Sequence, residues 1–297
     1  MQINQQDIIQ LCVAKLSDLK GSSIQFHTVR NLGGGCINNA LKISTSEGDY
    51  FLKWNASAPS DMFQREAEGL SEMGQAGNPF LIIPKVIWSK RTDELPGLIL
   101  MEYLDPAIET SGYEERLGRG IAHLQRKMAQ AFGFHQPNFC GTTFQDNTWT
   151  DSWPEFYAMR RIRPLVWQIR SSRGFSNDEM LIYEKLVYRI PQLLAHQTVP
   201  SLIHGDLWSG NYMFTANGPA LIDPACFYAD REMELGMMQL FGGFSPIVWS
   251  AYQDEFPLPE GWKGRVRLYQ LYHVLNHYLL FGGSYGWQAL EIAKEYI

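Results

Sequence analysis

The stretch His204-Gly-Asp-Leu-Trp-Ser-Gly-Asn211 is the most informative part of the chain, and twelve residues after its end comes Asp223. The residues between them predict a hairpin, with a strand at 211–214, a turn at 215–218 and a strand at 219–223. Such a hairpin returns Asp223 across a short distance to Asp206 and Asn211. The sequence therefore predicts a loop and a hairpin that bring two carboxylates and one amide together.

These residue types at this spacing suit phosphoryl transfer. One carboxylate must accept or orient the proton of the attacking hydroxyl, and a second carboxylate with an amide oxygen must hold Mg²⁺ against the phosphates. The residues match the kinase catalytic-loop pattern H-x-D-L-x-x-x-N apart from the arginine of H-R-D. An isolated H-x-D is more often a buried histidine beside turn-forming residues. Here the spaced Asn211, the hairpin and Asp223 follow in the required order, which favours catalysis.

The order of predicted elements indicates the fold class. The first third predicts a helix between Asn4 and Gly21, strands at 24–32, 40–45 and 50–54, a helix from 61 to about 74, and strands at 85–88 and 98–103. From Tyr113 onward the pattern is mainly helical, and the 211–223 hairpin is the clear exception. Strands first and helices second predict an α+β fold with a small β-rich lobe at 1–103 and a larger, mainly α-helical lobe at 104–297.

A glycine-rich loop and a lysine form the second signal. Gly33-Gly34-Gly35 joins two predicted strands, and Lys53 lies on the next strand. Backbone N–H groups of such a loop can approach triphosphate oxygens, and a neighbouring lysine can neutralise them. A carboxylate on the following helix could pair with Lys53, and the residues alone leave Glu66 and Glu68 as competing candidates.

Composition and charge exclude several classes of protein. The chain has 297 residues, of which 45% are hydrophobic, and its net charge of −6 shows no basic stripe for a nucleic acid. The N-terminus lacks the basic start and apolar run of a secretory signal. Polar residues interrupt the uncharged stretches 235–253 and 268–290, so we expect buried helices there rather than membrane spans. Four widely spaced cysteines predict reduced thiols in a cytoplasmic protein.

Several further segments resemble the fructosamine (ketosamine) kinase family in order along nearly the whole chain. They are Gly33-Gly-Gly-Cys-Ile-Asn38, Met62-Phe-Gln-Arg-Glu-Ala-Glu-Gly-Leu70, Phe132-Gly-Phe-His135, His204-Gly-Asp-Leu-Trp-Ser-Gly-Asn211, Ile222-Asp-Pro-Ala225, Arg231-Glu-Met-Glu-Leu235, Leu240-Phe-Gly-Gly-Phe244, Leu271-Tyr-His-Val-Leu-Asn-His277 and Leu280-Phe-Gly-Gly283. The H-G-D-L residues are shared with aminoglycoside and choline kinases. Trp208 with the following Ser-Gly-Asn, and the Phe-Gly-Gly-Phe segment, are more specific to this family.

The resemblance implies a protein-kinase-like bilobal fold with ATP and Mg²⁺ as cofactors. It makes Asp206 the catalytic base, Asn211 and Asp223 the metal ligands, Lys53 the phosphate contact and Glu66, rather than Glu68, the partner of that lysine. The family phosphorylates the 3-hydroxyl of a ketosamine, the sugar adduct that glycation leaves on an amine, and the phosphorylated adduct then breaks down. The implied role is repair by deglycation of free or protein-linked fructosamine or ribulosamine adducts.

The resemblance also implies two nucleotide-binding segments. One is the glycine-rich loop of Gly33, Gly34, Gly35, Cys36, Ile37 and Asn38. The other resembles the kinase hinge and consists of Met101, Glu102, Tyr103 and Leu104, where backbone groups would meet adenine. We predict that Trp208 forms an aromatic wall near Asp206 against which the acceptor sugar amine packs. The alternative is that its indole packs under the loop as part of the core.

Two residues depart from the family pattern. Asp230 stands where a histidine usually precedes Arg-Glu. Gln125, which follows Leu124, stands where the family has the histidine of Leu-His. They leave the choice of ketosamine open.

Two other functions compete with a ketosamine kinase. A kinase for an aminoglycoside, choline or another amino alcohol would need an acidic pocket, to which Asp151, Glu155 and Asp230 could contribute. A pseudokinase that binds nucleotide without transferring phosphate is disfavoured, because Lys53 and all three residues of the predicted catalytic and metal site are present.

Cys36 lies in the glycine-rich loop where phosphates should dock. If the loop is exposed, oxidation of this thiol or a disulfide to another chain should block ATP binding reversibly. The alternative is a small residue with no redox role, in which case peroxide would inactivate a Cys36→Ser variant as readily as the parent.

Overall fold

The computed structural model describes residues 4–33, 38–90, 97–108 and 110–297. Its N-terminal part is a five-stranded antiparallel sheet in the order β1-β2-β3-β5-β4. The strands and the two helices beside them are α1 (Gln5–Lys20), β1 (Phe26–Leu32), β2 (Asn39–Thr45), β3 (Gly48–Asn55), α2 (Met62–Gly74), β4 (Val86–Lys90) and β5 (Gly97–Glu102). The predicted meander of three strands and the predicted pair at the other edge are both present.

The sheet lies between α1 and α2. Successive side chains of a strand point to opposite faces, so each face of the sheet packs against one of the two helices. On one face Leu41, Leu52 and Leu100 pack against Ile8 and Cys12 of α1. The opposite face packs Ile99 and Met101 against Phe63 and Leu70 of α2. Lys53 follows Leu52 in β3, and this alternation therefore turns its side chain towards α2.

The remainder of the chain is mainly helical. Its helices are α3 (Tyr113–Gln125), α4 (Trp153–Phe156), α5 (Arg163–Arg173), α6 (Asn177–Leu193), α7 (Glu232–Leu240), α8 (Pro246–Glu255), α9 (Trp262–Phe281) and α10 (Tyr285–Lys294), with a π-helical segment, Tyr157–Ile162, joining α4 to α5. One large core unites them, and its fully buried aromatic residues include Trp153, Tyr183 and Tyr269. The α+β fold class with a β-rich and a helical part is confirmed, whereas the division at residues 103 and 104 stays a prediction.

The prediction of a single hairpin in the helical part was wrong. Besides the hairpin of β9 (Tyr212–Thr215) and β10 (Gly218–Leu221), the described residues contain the pair β6 (Asn138–Cys140) and β7 (Thr143–Gln145) and the pair β8 (Ser201–Ile203) and β11 (Phe227–Ala229). Each of these four strands is three residues long, which is too short for an alternating pattern to show in sequence.

The connection between α2 and β4 packs onto the helical part. Met73 and Leu81 belong to the large core. Ile82 donates from its main-chain nitrogen to the oxygen of Pro219 at 2.9 Å, and its own oxygen accepts from the nitrogen of Leu221 at 3.1 Å. These two hydrogen bonds join the connection after α2 to the hairpin that precedes Asp223.

No helix among the described residues is long and apolar enough to cross a membrane.

Candidate active site

His204 organises the loop that carries Asp206. Its Nε2 atom donates to the carbonyl of Ile222 at 2.8 Å, and its Nδ1 atom accepts from the main-chain N–H of Asp206 at 3.3 Å. Complete burial lowers the pKa of His204 to about 4, so the ring is neutral at physiological pH. The buried His204 ring therefore holds the loop through both of its nitrogens.

Gly205 is required by the sharp turn after His204. Its φ of 84° is in the left-handed region, and a Cβ atom there would lie 2.3 Å from the carbonyl oxygen of Ala225. Any side chain would collide with backbone at this point.

Glu234 is a site residue that sequence reasoning missed. Its carboxylate accepts from the main-chain N–H of Gly205 at 3.2 Å and also from the main-chain N–H of His204. The residue is 1% exposed, and burial raises the pKa of Glu234 to about 7. It belongs to the quoted segment 231–235, yet nothing in that segment indicated that the side chain reaches back to the loop from α7.

Asp206 lies beside Asn211, as predicted. The Nδ2 atom of Asn211 donates to the main-chain oxygen of Asp206 at 2.8 Å and lies 3.4 Å from its Oδ2 atom. Burial, with Glu234 and Asp223 nearby, raises the pKa of Asp206 to about 8. A partly buried carboxyl with a raised pKa in a cleft is typical of a catalytic acid or base.

The β9–β10 hairpin brings Asp223 back to this loop. The main-chain nitrogen of Ile222 donates to the main-chain oxygen of Asn211 at 3.0 Å. Asp223 has a φ of 57° and is the only non-glycine residue with positive φ in the described parts of the chain. Such strain in a non-glycine residue costs energy and is concentrated at functional sites.

Lys53 lies between two carboxylates. Its Nζ atom is 2.9 Å from Oε2 of Glu66 and 3.0 Å from Oδ1 of Asp223. Burial alone would lower the pKa of Lys53, but these carboxylates outweigh it and raise that pKa above its ordinary value. Glu68 pairs instead with Arg65 at 2.8 Å. The choice left open in the sequence is therefore settled in favour of Glu66.

Asn211 and Asp223 could hold a divalent cation. Asn211 uses its amide nitrogen on Asp206, which leaves its amide oxygen as the available ligand atom. The Asp223 side chain is 40% exposed, so a carboxylate oxygen is accessible to a cation that enters the cleft. Carboxylate and amide oxygens are the donors that Mg²⁺ prefers, and the residues present thus fit the ion.

These residues line one cleft of about 870 Å³ between the sheet and the helical part. The predicted residues that line it are Gly33, Asn38, Lys53, Glu66, Met101, Glu102, Tyr103, Leu104, Asp206, Trp208, Asn211 and Asp223. Gly34, Gly35, Cys36 and Ile37 are outside the described residues. The structure brings the two halves of the predicted site together, although their binding roles remain predictions.

Aromatic side chains surround the end of the cleft beyond Asp206. Trp208 is 38% exposed, so the interpretation of its indole as core is wrong. Its ring meets Phe241 edge to face at 6.4 Å, and Phe241 is 4.9 Å from the ring of His277. Phe281 and Tyr285 lie 5.6 and 5.2 Å beyond that histidine. Sequence reasoning had found only Trp208 of this group.

Asp151, Glu155 and Asp230, which could have supplied the acidic pocket of an amino-alcohol kinase, do not line the cleft. Asp230 is 2% exposed, and its carboxylate accepts from the Tyr269 hydroxyl at 2.6 Å and contacts His196 at 2.6 Å. Its hydrogen bonds are therefore used to hold the core. Gln125, the other departure from the family pattern, is also buried and accepts from the Tyr252 hydroxyl at 2.5 Å.

Comparison with solved structures supports this architecture. The chain is similar to a fructosamine-3-kinase candidate of Thermobifida fusca, with 31% identity, a TM-score of 0.83, and coverage of 95% of this chain and 96% of the other. An aminoglycoside phosphotransferase, APH(4)-Ia, shares 16% identity with a TM-score of 0.63 over 95% of this chain and 96% of its own. The likeness to APH(4)-Ia shows the fold alone and confirms the protein-kinase-like class.

Sequence relatives agree. The chain is 36% identical to the chloroplastic protein-ribulosamine 3-kinase of Arabidopsis thaliana, over 94% of this chain and 85% of that protein. It is 33% identical to the mouse ketosamine-3-kinase, over 89% of this chain and 93% of that protein. The family model described as fructosamine kinase matches residues 8–297. Together with the geometry of the cleft, these matches confirm the resemblance, and the chain belongs to the fructosamine kinase family.

Proposed function

We propose that this chain transfers the γ-phosphoryl group of ATP to the 3-hydroxyl of ketosamines, the fructosamine and ribulosamine adducts of amines. The observation that carries the proposal is the meeting of Asp206, Asn211 and Asp223 with the Lys53–Glu66 pair in a single cleft. Family membership and relatives named ketosamine-3-kinase and protein-ribulosamine 3-kinase support the same reaction. The phosphorylated adduct would then break down, which makes deglycation the role.

Each charged residue has a distinct task in this reaction. Asp206, in its ionised form, would accept a hydrogen bond from the acceptor hydroxyl and take up its proton. Lys53, held protonated by Glu66, would neutralise phosphate oxygens of ATP. Asn211 and Asp223 would hold Mg²⁺, which when bound neutralises charge on the phosphates. Glu234 keeps the loop of Asp206 in place through its backbone N–H groups.

The lining of the acceptor end favours ketosamines over polycationic amino alcohols. Among the described residues that line the cleft, the acidic ones are Glu66, Glu102, Asp206 and Asp223. Glu66 holds Lys53, Glu102 belongs to the hinge, and the other two form the predicted catalytic and metal site. The acceptor end itself consists largely of aromatic rings. It can take the sugar and a single amine, with the ammonium attracted to a ring face.

A direct assay tests this function. The protein would be incubated with ATP, Mg²⁺ and a fructosyl or ribulosyl amine, and the 3-phosphate would be followed by phosphorus NMR. We expect a ketosamine 3-phosphate and ADP in equal amounts, with both lost when EDTA removes Mg²⁺. Turnover of choline or an aminoglycoside without turnover of either ketosamine would contradict the proposal. Nucleotide binding without any transfer would instead make the chain a pseudokinase.

Replacing Trp208 with alanine should weaken ketosamine binding specifically. Because the indole lines the cleft and is 38% exposed, its loss removes a wall and a cation–π contact of about 0.5 to 2 kcal/mol. We expect a higher KM for the ketosamine and a lower kcat/KM, with the KM for ATP and the melting temperature nearly unchanged. Equal loss of affinity for both substrates would contradict this role.

The substrate and compartment extend the proposal. The substrates we propose are ketosamines on free amines or on protein side chains, and the relatives named protein-ribulosamine 3-kinase and ketosamine-3-kinase support this class of acceptor. We place the reaction in the cytoplasm, because Cys12, Cys140 and Cys226 are unpaired, buried thiols, as expected in a reducing compartment.

A further inference from the structure

Glu72, in the last turn of α2, contacts two residues of the helical part. The Nζ atom of Lys127 lies 2.6 Å from its Oε1 atom and donates to its main-chain oxygen at 2.8 Å. The hydroxyl of Tyr228 donates to the same Oε1 atom at 2.7 Å. Lys127 thus neutralises the carboxylate and also caps a free carbonyl at the C-terminal end of the helix.

Both partners of Glu72 are linked to β8, the strand that runs directly into His204 and Asp206: Lys127 by a hydrogen bond, and Tyr228 through its place in the paired strand β11. The main-chain oxygen of Lys127 accepts from the nitrogen of Leu202 at 2.8 Å. Tyr228 lies in β11, where it is the register partner of the same Leu202. One carboxylate on α2 is therefore tied from two sides to the strand that positions the catalytic loop.

The same helix carries Glu66, the partner of Lys53, six residues earlier. At a rise of about 1.5 Å per residue, the two carboxylates are about 9 Å apart along the helix axis. Between them, Gly69 lets α2 approach the helical part closely, because a Cβ atom there would lie 3.0 Å from the Sγ atom of Cys226. The N-terminal end of α2 has no side-chain cap, and the contacts of Glu72 are a second polar anchor of the helix beside the Lys53–Glu66 pair.

We propose that Glu72 is a positioning residue that couples α2 to β8. Through this coupling the Lys53–Glu66 pair, which faces the nucleotide, and Asp206, which faces the acceptor, keep a constant separation before any substrate binds. The consequence is a nucleotide site in which the helix does not have to swing inward before ATP is bound. The inference rests on the proposed function only in that the cleft binds ATP.

Two variants test the coupling. Glu72→Gln removes the charge that Lys127 neutralises, and Tyr228→Phe removes a single hydroxyl with little change of shape. The readouts are the affinity for a non-hydrolysable ATP analogue with Mg²⁺, by calorimetry, and hydrogen exchange of residues 62–74. We expect each variant to bind the analogue about three- to tenfold more weakly and to exchange faster in α2. In turnover, the KM for ATP should rise while the KM for the ketosamine stays unchanged.

Glu68→Gln is the matched control. Glu68 lies one turn earlier on the same helix, and among the described residues its side chain pairs within that helix, with Arg65 at 2.8 Å, so its variant should bind the analogue as the parent does. A double variant gives a second test. Glu66→Gln should weaken analogue binding less in the Glu72→Gln background than alone, because an unanchored helix already holds Glu66 poorly.

Unchanged analogue affinity and unchanged exchange in α2 in both variants would overturn the proposal. A lower melting temperature with unchanged affinity would also overturn it, because Glu72 would then be a stabilising contact only. If Glu72→Gln fails to fold, the Tyr228→Phe result decides. Failure of the proposed function is recognised separately, as a parent protein that binds the analogue but leaves ketosamines unphosphorylated.

Discussion

Replacing Asp206 with asparagine is expected to lower kcat by about two to four powers of ten, the usual contribution of a positioned acid or base. Asparagine keeps the size of the side chain and can still accept a hydrogen bond from a hydroxyl, but it cannot take up the proton. The effect should fall on kcat, because Lys53, Glu66 and the hinge are untouched. Steady-state kinetics with a ketosamine, beside calorimetry of ATP binding, measures both quantities.

Thermal melting without divalent metal supplies the control for this variant. Because burial raises the pKa of Asp206 to about 8, the folded protein retains a proton there that the unfolded chain loses above about pH 4. The parent therefore loses stability as the pH rises from about 4 to about 8, and asparagine avoids that loss. We expect the variant to melt higher at pH 8 and equally near pH 4. Near-normal turnover in a well-folded variant would contradict the assignment of Asp206 as the catalytic base.

Replacing Glu234 with leucine is expected to lower the free energy of unfolding by about 2 to 5 kcal/mol, the cost of leaving two or more buried N–H groups without acceptors. The two side chains are similar in size, so the loss reports the hydrogen bonds to His204 and Gly205 rather than a cavity. Urea unfolding followed by tryptophan fluorescence measures the change. Activity should fall with it, since these bonds hold the loop of Asp206.

Glu234→Gln separates the hydrogen bonds from the charge. Its amide oxygen can still accept from one or both N–H groups, so we expect a smaller loss of stability than with leucine. Burial already raises the pKa of Glu234 to about 7, and a neutral substitute is therefore a mild change. If leucine proves as stable as glutamate, the carboxylate is not what holds the catalytic loop.

The structure brings the predicted site residues together where the information in the sequence is local. The order of His204, Asp206, Asn211 and Asp223 along a loop and hairpin already specified that they would meet, because a short hairpin has few ways to return. The pairing of Lys53 required more, since two carboxylates of α2 competed for it. The side on which each carboxylate emerges from the helix decided for Glu66, and that depends on how α2 packs against the sheet.

Residues recruited from distant elements were not predictable. Glu234 reaches the loop from α7, and His277, Phe281 and Tyr285 line the cleft from the last two helices. Their segments carry no local signal, because a buried glutamate and an aromatic residue on a helix look the same whether they serve a site or a core. The place of Asp230 was open for the same reason, since an acidic residue close to a motif proved to be a hydrogen-bond acceptor in the core.

The fold class, the family and the set of residues proposed for phosphoryl transfer followed from the sequence alone, because period, turn chemistry and motif spacing are properties of neighbouring residues. Four other features required the tertiary structure: which carboxylate meets Lys53, what supports the catalytic loop, which rings form the acceptor end and how Glu72 ties α2 to β8. Those contacts join residues far apart in the chain. They depend on the relative placement of whole helices and strands, which is set by the packing of the entire core.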